Sequence, residues 1–163
     1  MPLQVEIDPG LRFGSPLLGE LLVYWQNLRH GRLPSRADVD PLDMAPRLWP
    51  YLELVDILRQ PDLRFRWRLI GTHVTEAVER DSTGRFFDEM YAPEDLETLA
   101  MPFRWVVENR LPLRLFGTSA FVGKHWLRYE GVYLPLADDG ESVVMVLGGV
   151  DYRRGNPEAK TPG

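Results

Sequence analysis

The apolar positions change their period along the chain. From Pro16 onward Leu18, Leu21, Leu22, Trp25 and Leu28 recur at helical spacing until Gly31 stops the run. Ser15 and Pro16 stand in the cap and first-position order of a helix start, so the pattern predicts a helix over 16–30. Residues 1–14 show no period. The connector 31–50 is polar and proline-containing, and its Asp40-Pro41-Leu42-Asp43 predicts a short helical turn capped by Asp40. Leu52–Leu58 reads as a strand and Gln60-Pro61-Asp62 as a turn. Arg64–Ile70 reads as an alternating strand, with Phe65, Trp67 and Leu69 on one face and Arg66 and Arg68 on the other. The two strands predict a hairpin.

Helical signals return in the middle of the chain. Thr72 is placed to cap a helix over 74–80, and Gly84 separates it from a turn of helix over 86–90. Pro93 opens the longest helix, to about Asn109, with Leu96, Leu99, Ala100, Phe103, Val106 and Val107 as its stripe. Pro102 inside it is expected to kink it or remove one hydrogen bond. The last third is strand-like over 113–122, 126–136 and 143–150, separated by hairpin signals at Gly123-Lys124 and Ala137-Asp138-Asp139-Gly140. Residues 153–163 read as a mobile polar tail. The predicted architecture is α+β: a five-stranded antiparallel sheet with helices packed on one face and an additional N-terminal helix. It divides into an N-terminal extension (1–49), a central domain (50–152) and the tail.

Composition narrows the chemistry. A chain of 163 residues with 44% hydrophobic side chains suffices for one domain with a real core. The absence of cysteine removes disulfides, thiolate nucleophiles, Cys-ligated zinc and thioether-attached haem. A net charge of −5 argues against sequence-independent binding to nucleic acid. The longest strongly apolar stretch, Val143–Val150, is far too short for a membrane span. Glu6 and Asp8, with no cation before Arg12, do not resemble a signal peptide. A soluble cytoplasmic protein is the expectation, with neither nucleic acid nor membrane as partner.

The residue patterns make only a weak case for catalysis. His30, His73 and His125 form no local metal motif; His73 could share a helix face with Glu76 or Glu79, but an ordinary exposed histidine is the better reading. Asp38, Asp40 and Asp43 lack the glycine and terminal glutamate of a calcium loop, and capping accounts for Asp40 and Asp43. Arg64, Arg66 and Arg68 fit a solvated strand face better than a nucleic-acid platform. No serine stands in a nucleophile elbow, and Gly148-Gly149 makes no phosphate loop. The expectation is therefore no catalytic residue and no metal. The layer between sheet and helices is the place for chemistry, either solidly filled or holding a small ligand.

Gly84-Arg85-Phe86-Phe87-Asp88-Glu89-Met90 followed by Ala92-Pro93-Glu94-Asp95-Leu96 resembles the stretch that leads into the long helix of the PAS family. Arg68-Leu69-Ile70-Gly71-Thr72 resembles that family's strand end before its first helix, and Leu134-Pro135-Leu136 fits its closing strands. The resemblance covers roughly residues 50–152. Tyr24-Trp25, Pro34-Ser35-Arg36-Ala37-Asp38 and Asp40-Pro41 are similar to a bacterial subfamily of small stand-alone PAS-like proteins. Gly71-Thr72 departs from the Asn of many ligand-binding members. The lack of cysteine removes the flavin–cysteinyl adduct, and the lack of histidine in 93–109 argues against haem ligated from that helix.

The resemblance implies a non-enzymatic sensory or interaction module that takes a small, unidentified ligand or a protein partner. Its signal would pass by self-association or through a separate signalling protein. Ligand-pocket candidates are Trp67, Leu69, Phe103, Val107, Phe116 and Tyr129. The 16–30 helix either covers its own sheet or pairs in a homodimer through Leu18, Leu21, Leu22, Trp25 and Leu28. The alternatives are a small enzyme acting on a hydrophobic substrate through Asp56 and Tyr129, and a scaffold with a solid core.

Overall fold

The computed structural model describes residues 4–119 and 123–154. The chain runs β1 (Val5–Asp8), α1 (Pro16–Leu28), three short 3-10 turns, β2 (Leu52–Leu58) and β3 (Arg64–Ile70). Then come α2 (Thr72–Val78), a 3-10 turn at Phe87–Glu89, α3 (Pro93–Asn109), β4 (Leu113–Ser119), β5 (Lys124–Ala137) and β6 (Val143–Arg154). Each expected strand and helix is present, and α3 continues through Pro102, which is buried on its inner side. The 153–163 tail lies outside the described residues from 155 onward, as do residues 120–122 of the first closing strand.

All pairings are antiparallel, in the order β1-β4-β5-β6-β2-β3. The sheet thus has six strands, not five. The additional one is β1, a four-residue edge strand pairing Val5 with Gly117 and Asp8 with Arg114. It is too short to show a period of its own, so only pairing with β4 defines it.

Strand alternation gives the sheet two faces. Register puts Glu53, Val55, Phe65, Trp67, Leu113, Leu115, Tyr129, Tyr133 and Val150 on the face under α2 and α3. The other face carries Leu54, Val132, Leu134, Leu136, Leu147 and Gly149, and α1 lies across it. Leu18 and Leu21 reach Gly149, where an added Cβ would come within 2.7 Å of Leu21 Cδ2. Trp25 donates its indole N–H to the Pro135 carbonyl at 2.9 Å. Leu18, Leu21 and Trp25 are buried by their own sheet, and Leu22 and Leu28 are half-buried. Burying three such side chains contributes about 1.5–3 kcal/mol each.

Several local expectations are corrected. Ser15 stands at the N-cap of α1 but makes no capping bond; its hydroxyl donates to Asp151 Oδ2 at 2.8 Å, tying α1 to β6. Gly71, not Thr72, caps α2. His73 is half-buried rather than exposed: its Nε2 accepts the Tyr152 backbone N–H at 3.0 Å, and burial holds its pKa below the usual histidine value. Asp40 caps its turn as expected, accepting from the Leu42 N–H at 2.9 Å.

Candidate functional site

Between the sheet and α2, α3 and the Phe87 turn lies a cavity of about 70 Å³. Sequence order explains its position. The short α2 and the Phe87 turn cannot cover the sheet centre as closely as the long α3 does. Gly71 lets α2 start hard against the preceding turn, since a Cβ there would overlap the Pro50 carbonyl. Val74 and Val78 of α2, Phe87, and Leu99, Pro102 and Phe103 of α3 form the roof. Glu53, Trp67, Leu115, Tyr129, Tyr133, Val150 and Tyr152 form the floor, with Tyr91, Arg80 and Ser82 at the side.

The wall is aromatic. Trp67 and Phe87 have ring centroids 4.6 Å apart, Phe87 and Phe103 meet edge-on at 5.3 Å, and Phe103 stacks on Tyr133 at 4.2 Å. Tyr91 meets Phe87 edge-on at 6.0 Å, and Tyr129 packs 5.9 Å from Tyr152. Such pairs add about 0.5–1.5 kcal/mol each beyond burial, so the wall is a stiff frame.

One acid interrupts this wall. Glu53 lies in the middle of the sheet, 3% exposed, and its Oε2 makes no hydrogen bond. Burial alone pushes its pKa up to about 8, so the carboxyl is mostly protonated at neutral pH. The Trp67 indole nitrogen is buried next to the Tyr91 hydroxyl, with which it makes no well-formed hydrogen bond. Burial raises the pKa of Tyr91, Tyr129, Tyr133 and Tyr152, which keeps all four phenols neutral. Arg80 is exposed, its guanidinium 5.8 Å from the Tyr91 ring centroid.

Of the six pocket candidates, the structure brings Trp67, Phe103 and Tyr129 together in the cavity wall. Leu69 is corrected: it is 41% exposed on the opposite face. The cause is a bulge between β2 and β3, where Val55 pairs with Trp67 but Leu54 with Leu69, so Ile70 takes the inward place. Phe116 also faces away, under the Arg114 guanidinium at 4.5 Å in an open groove on the α1 side. Val107 packs on the core one turn beyond Phe103, outside the cavity wall.

Asp56 and Tyr129, the candidate catalytic pair, lie on opposite faces of the sheet, and Asp56 is held by Arg66 at 2.8 Å. Among the described residues no group of acids and histidines could hold a metal ion. His125 lies in β5, but its side chain is outside the described set. No helix among the described residues is long and apolar enough to cross a membrane.

The sequence reading missed Glu53, Tyr91, Tyr133 and Tyr152. A signal for Glu53 was present: it shares strand parity with Val55 and Ile57, which puts an acid on the inward face.

The family model described as the PAS domain matches residues 14–150, which takes in α1 as well as the sheet from β2 onward. Domains of this kind are in general sensory or regulatory modules rather than catalysts. No curated protein and no solved structure matches the chain. The five strands β4-β5-β6-β2-β3 with α2 and α3 on one face agree with that match, which spans well over half of the sequence. The chain belongs to the PAS domain family.

Proposed function

We propose that this protein is a non-enzymatic sensory module whose cavity binds a small ligand, and that occupancy is passed on through the sheet to α1 and from there to a partner. The observation that carries the reading is the cavity itself: an aromatic-lined hollow with a buried, unsatisfied carboxyl is the usual construction of a small-molecule site. A scaffold with a solid core would have no reason to bury Glu53 unpaired, since that costs stability.

Transmission has a physical route. Gly148 and Gly149 are adjacent on β6; the first faces Tyr133 in the cavity wall and the second faces Leu18 and Leu21 of α1. A ligand that binds one arrangement of this strand better than another shifts the population by that difference in affinity. The receiver is a second copy of the chain or a separate signalling protein.

The test is a thermal-shift screen of small molecules, with hits repeated on Val150→Phe, which places a ring in the free space. Ligand at about 100 times its Kd stabilises by about 2.7 kcal/mol, or several degrees in Tm. Hits should lose that shift in the variant. Equal stabilisation of both proteins would place binding outside the cavity, and a screen without hits, with a clean native mass, would remove the sensor reading.

A further inference from the structure

We propose that the cavity is a receptor for a small ammonium ion, a short amine or amino alcohol, held by Glu53 inside the aromatic wall. The inference rests on reading the cavity as the ligand site and names the chemical class it takes.

The free polar atoms come first. Glu53, whose Oε2 is buried without a hydrogen bond, lines the cavity beside Trp67, whose indole N–H lies next to the Tyr91 hydroxyl. A wholly apolar occupant would leave the Glu53 carboxyl unsatisfied, so the ligand carries a polar group. A carboxyl that only accepts once ionised calls for a ligand with N–H groups.

Charge decides between neutral and cationic ligands. The rings of Trp67, Phe87, Tyr91, Phe103, Tyr133 and Tyr152 surround the site, and aromatic faces attract cations most strongly where water is excluded. Every titratable group lining the cavity can be named. From β5 and β6 come Tyr129, Tyr133 and Tyr152, from the loop before α3 comes Tyr91, and all are neutral. Beyond the end of α2 comes Arg80, which is exposed and engaged with Tyr91 rather than paired with Glu53. A cation entering the site would be the counter-ion of Glu53.

Size limits the head group. About 70 Å³ is roughly half of the ~150 Å³ cavity that holds benzene, which leaves room for a few heavy atoms. Ethanolammonium fits this limit and carries both an ammonium and an oxygen. Its binding requires Glu53 to ionise, so at pH 7 the carboxyl proton leaves to buffer as the ammonium enters. Affinity should rise about tenfold per pH unit toward pH 8 and then level off.

The experiment titrates the intact protein with ethanolammonium, with its neutral isostere ethylene glycol and with acetate, followed by amide NMR shifts. Four-heavy-atom ligands bind no tighter than about 10⁻⁵ to 10⁻⁴ M, so titrations run into the millimolar range. Ethanolammonium is expected to saturate shifts around Glu53, Trp67 and Tyr133, at least tenfold tighter than either control. Calorimetry in buffers of different ionisation enthalpy should show close to one proton released at pH 7. E53Q should lose tenfold or more in ammonium affinity together with the proton release; the proton count on the unaltered protein keeps the test decisive if E53Q does not fold. Ethylene glycol or acetate matching ethanolammonium with the same cavity shifts would overturn the ammonium assignment and leave the sensor reading standing. No cavity shift with any probe would overturn it too, and the thermal-shift screen then decides whether the sensor reading falls with it.

Discussion

Glu53 illustrates how one side chain couples stability to pH. Its folded-state pKa is raised from 4.5 to about 8 by burial, so between those values the native protein holds a proton that the unfolded chain has lost. The stabilisation is fully present below about pH 4.5 and is lost as pH rises through 8, at up to about 1.4 kcal/mol per pH unit. E53Q carries no such proton. Urea unfolding at pH 5 and pH 8 should therefore show the unaltered protein losing a few kcal/mol relative to E53Q on going to the higher pH. Identical pH dependence in the two proteins would mean that the Glu53 carboxyl reaches water. Gly71 matters at the same scale for a steric reason. A Cβ there meets the backbone of Pro50 and Trp49, which cannot yield as a flexible side-chain end would. Gly71→Ala should cost about 1–3 kcal/mol and enlarge the cavity by lifting the start of α2, an effect visible as a lowered Tm.

At the scale of elements, α1 shows which packing matters. Leu21 is buried on the sheet at 2% exposure, whereas Val23 on the same helix is 52% exposed. Leu21→Ala should cost about 2–5 kcal/mol and Val23→Ala within about 0.5 kcal/mol, measured by denaturant midpoints. A comparable loss at Val23 would show that the outer face of α1 is itself covered, as in a homodimer. The periodicity that made α1 legible identified its apolar stripe but not what covers it. The same holds for β3: alternation placed Trp67 inward correctly, but one extra residue in the bulge sent Leu69 outward and Ile70 in. A bulge is a property of the pair of strands, so neither strand's own pattern shows it. Short β1 and the Ser15–Asp151 bond depend on residues more than a hundred positions apart and were invisible for the same reason. Three of the six pocket candidates followed from strand alternation on β3 and β5, which places Trp67 and Tyr129, and from the helical stripe of α3, which places Phe103. Glu53 and Asp56 stand three residues apart on β2 and so fall on opposite faces of the sheet; strand parity with Val55 and Ile57 is the signal that marks Glu53 as the inward acid.

In the whole molecule, the sheet is a shared wall between two layers, the cavity with α2 and α3 on one side and α1 on the other. Tyr133 and Pro135 lie two residues apart on β5, the first in the cavity wall and the second accepting the Trp25 indole bond from α1. Close packing makes such a wall respond by discrete repacking rather than by gradual yielding. Filling the cavity must move Tyr133 or stiffen it, and either change reaches the backbone on which Trp25 and Leu21 sit. Hydrogen exchange tests this without knowledge of the natural ligand, because Val150→Phe fills the same space. Amides of α1 should then exchange at least about twofold faster or slower than in the unaltered protein. Those of the β2–β3 turn, which borders neither the cavity nor α1, should keep their rates. Equal changes in both regions would reflect a general loss of stability. An unchanged α1 with a verified filled cavity would mean that the sheet isolates its two faces, and the route from ligand to partner would then have to leave through α2 and the exposed Arg80 side.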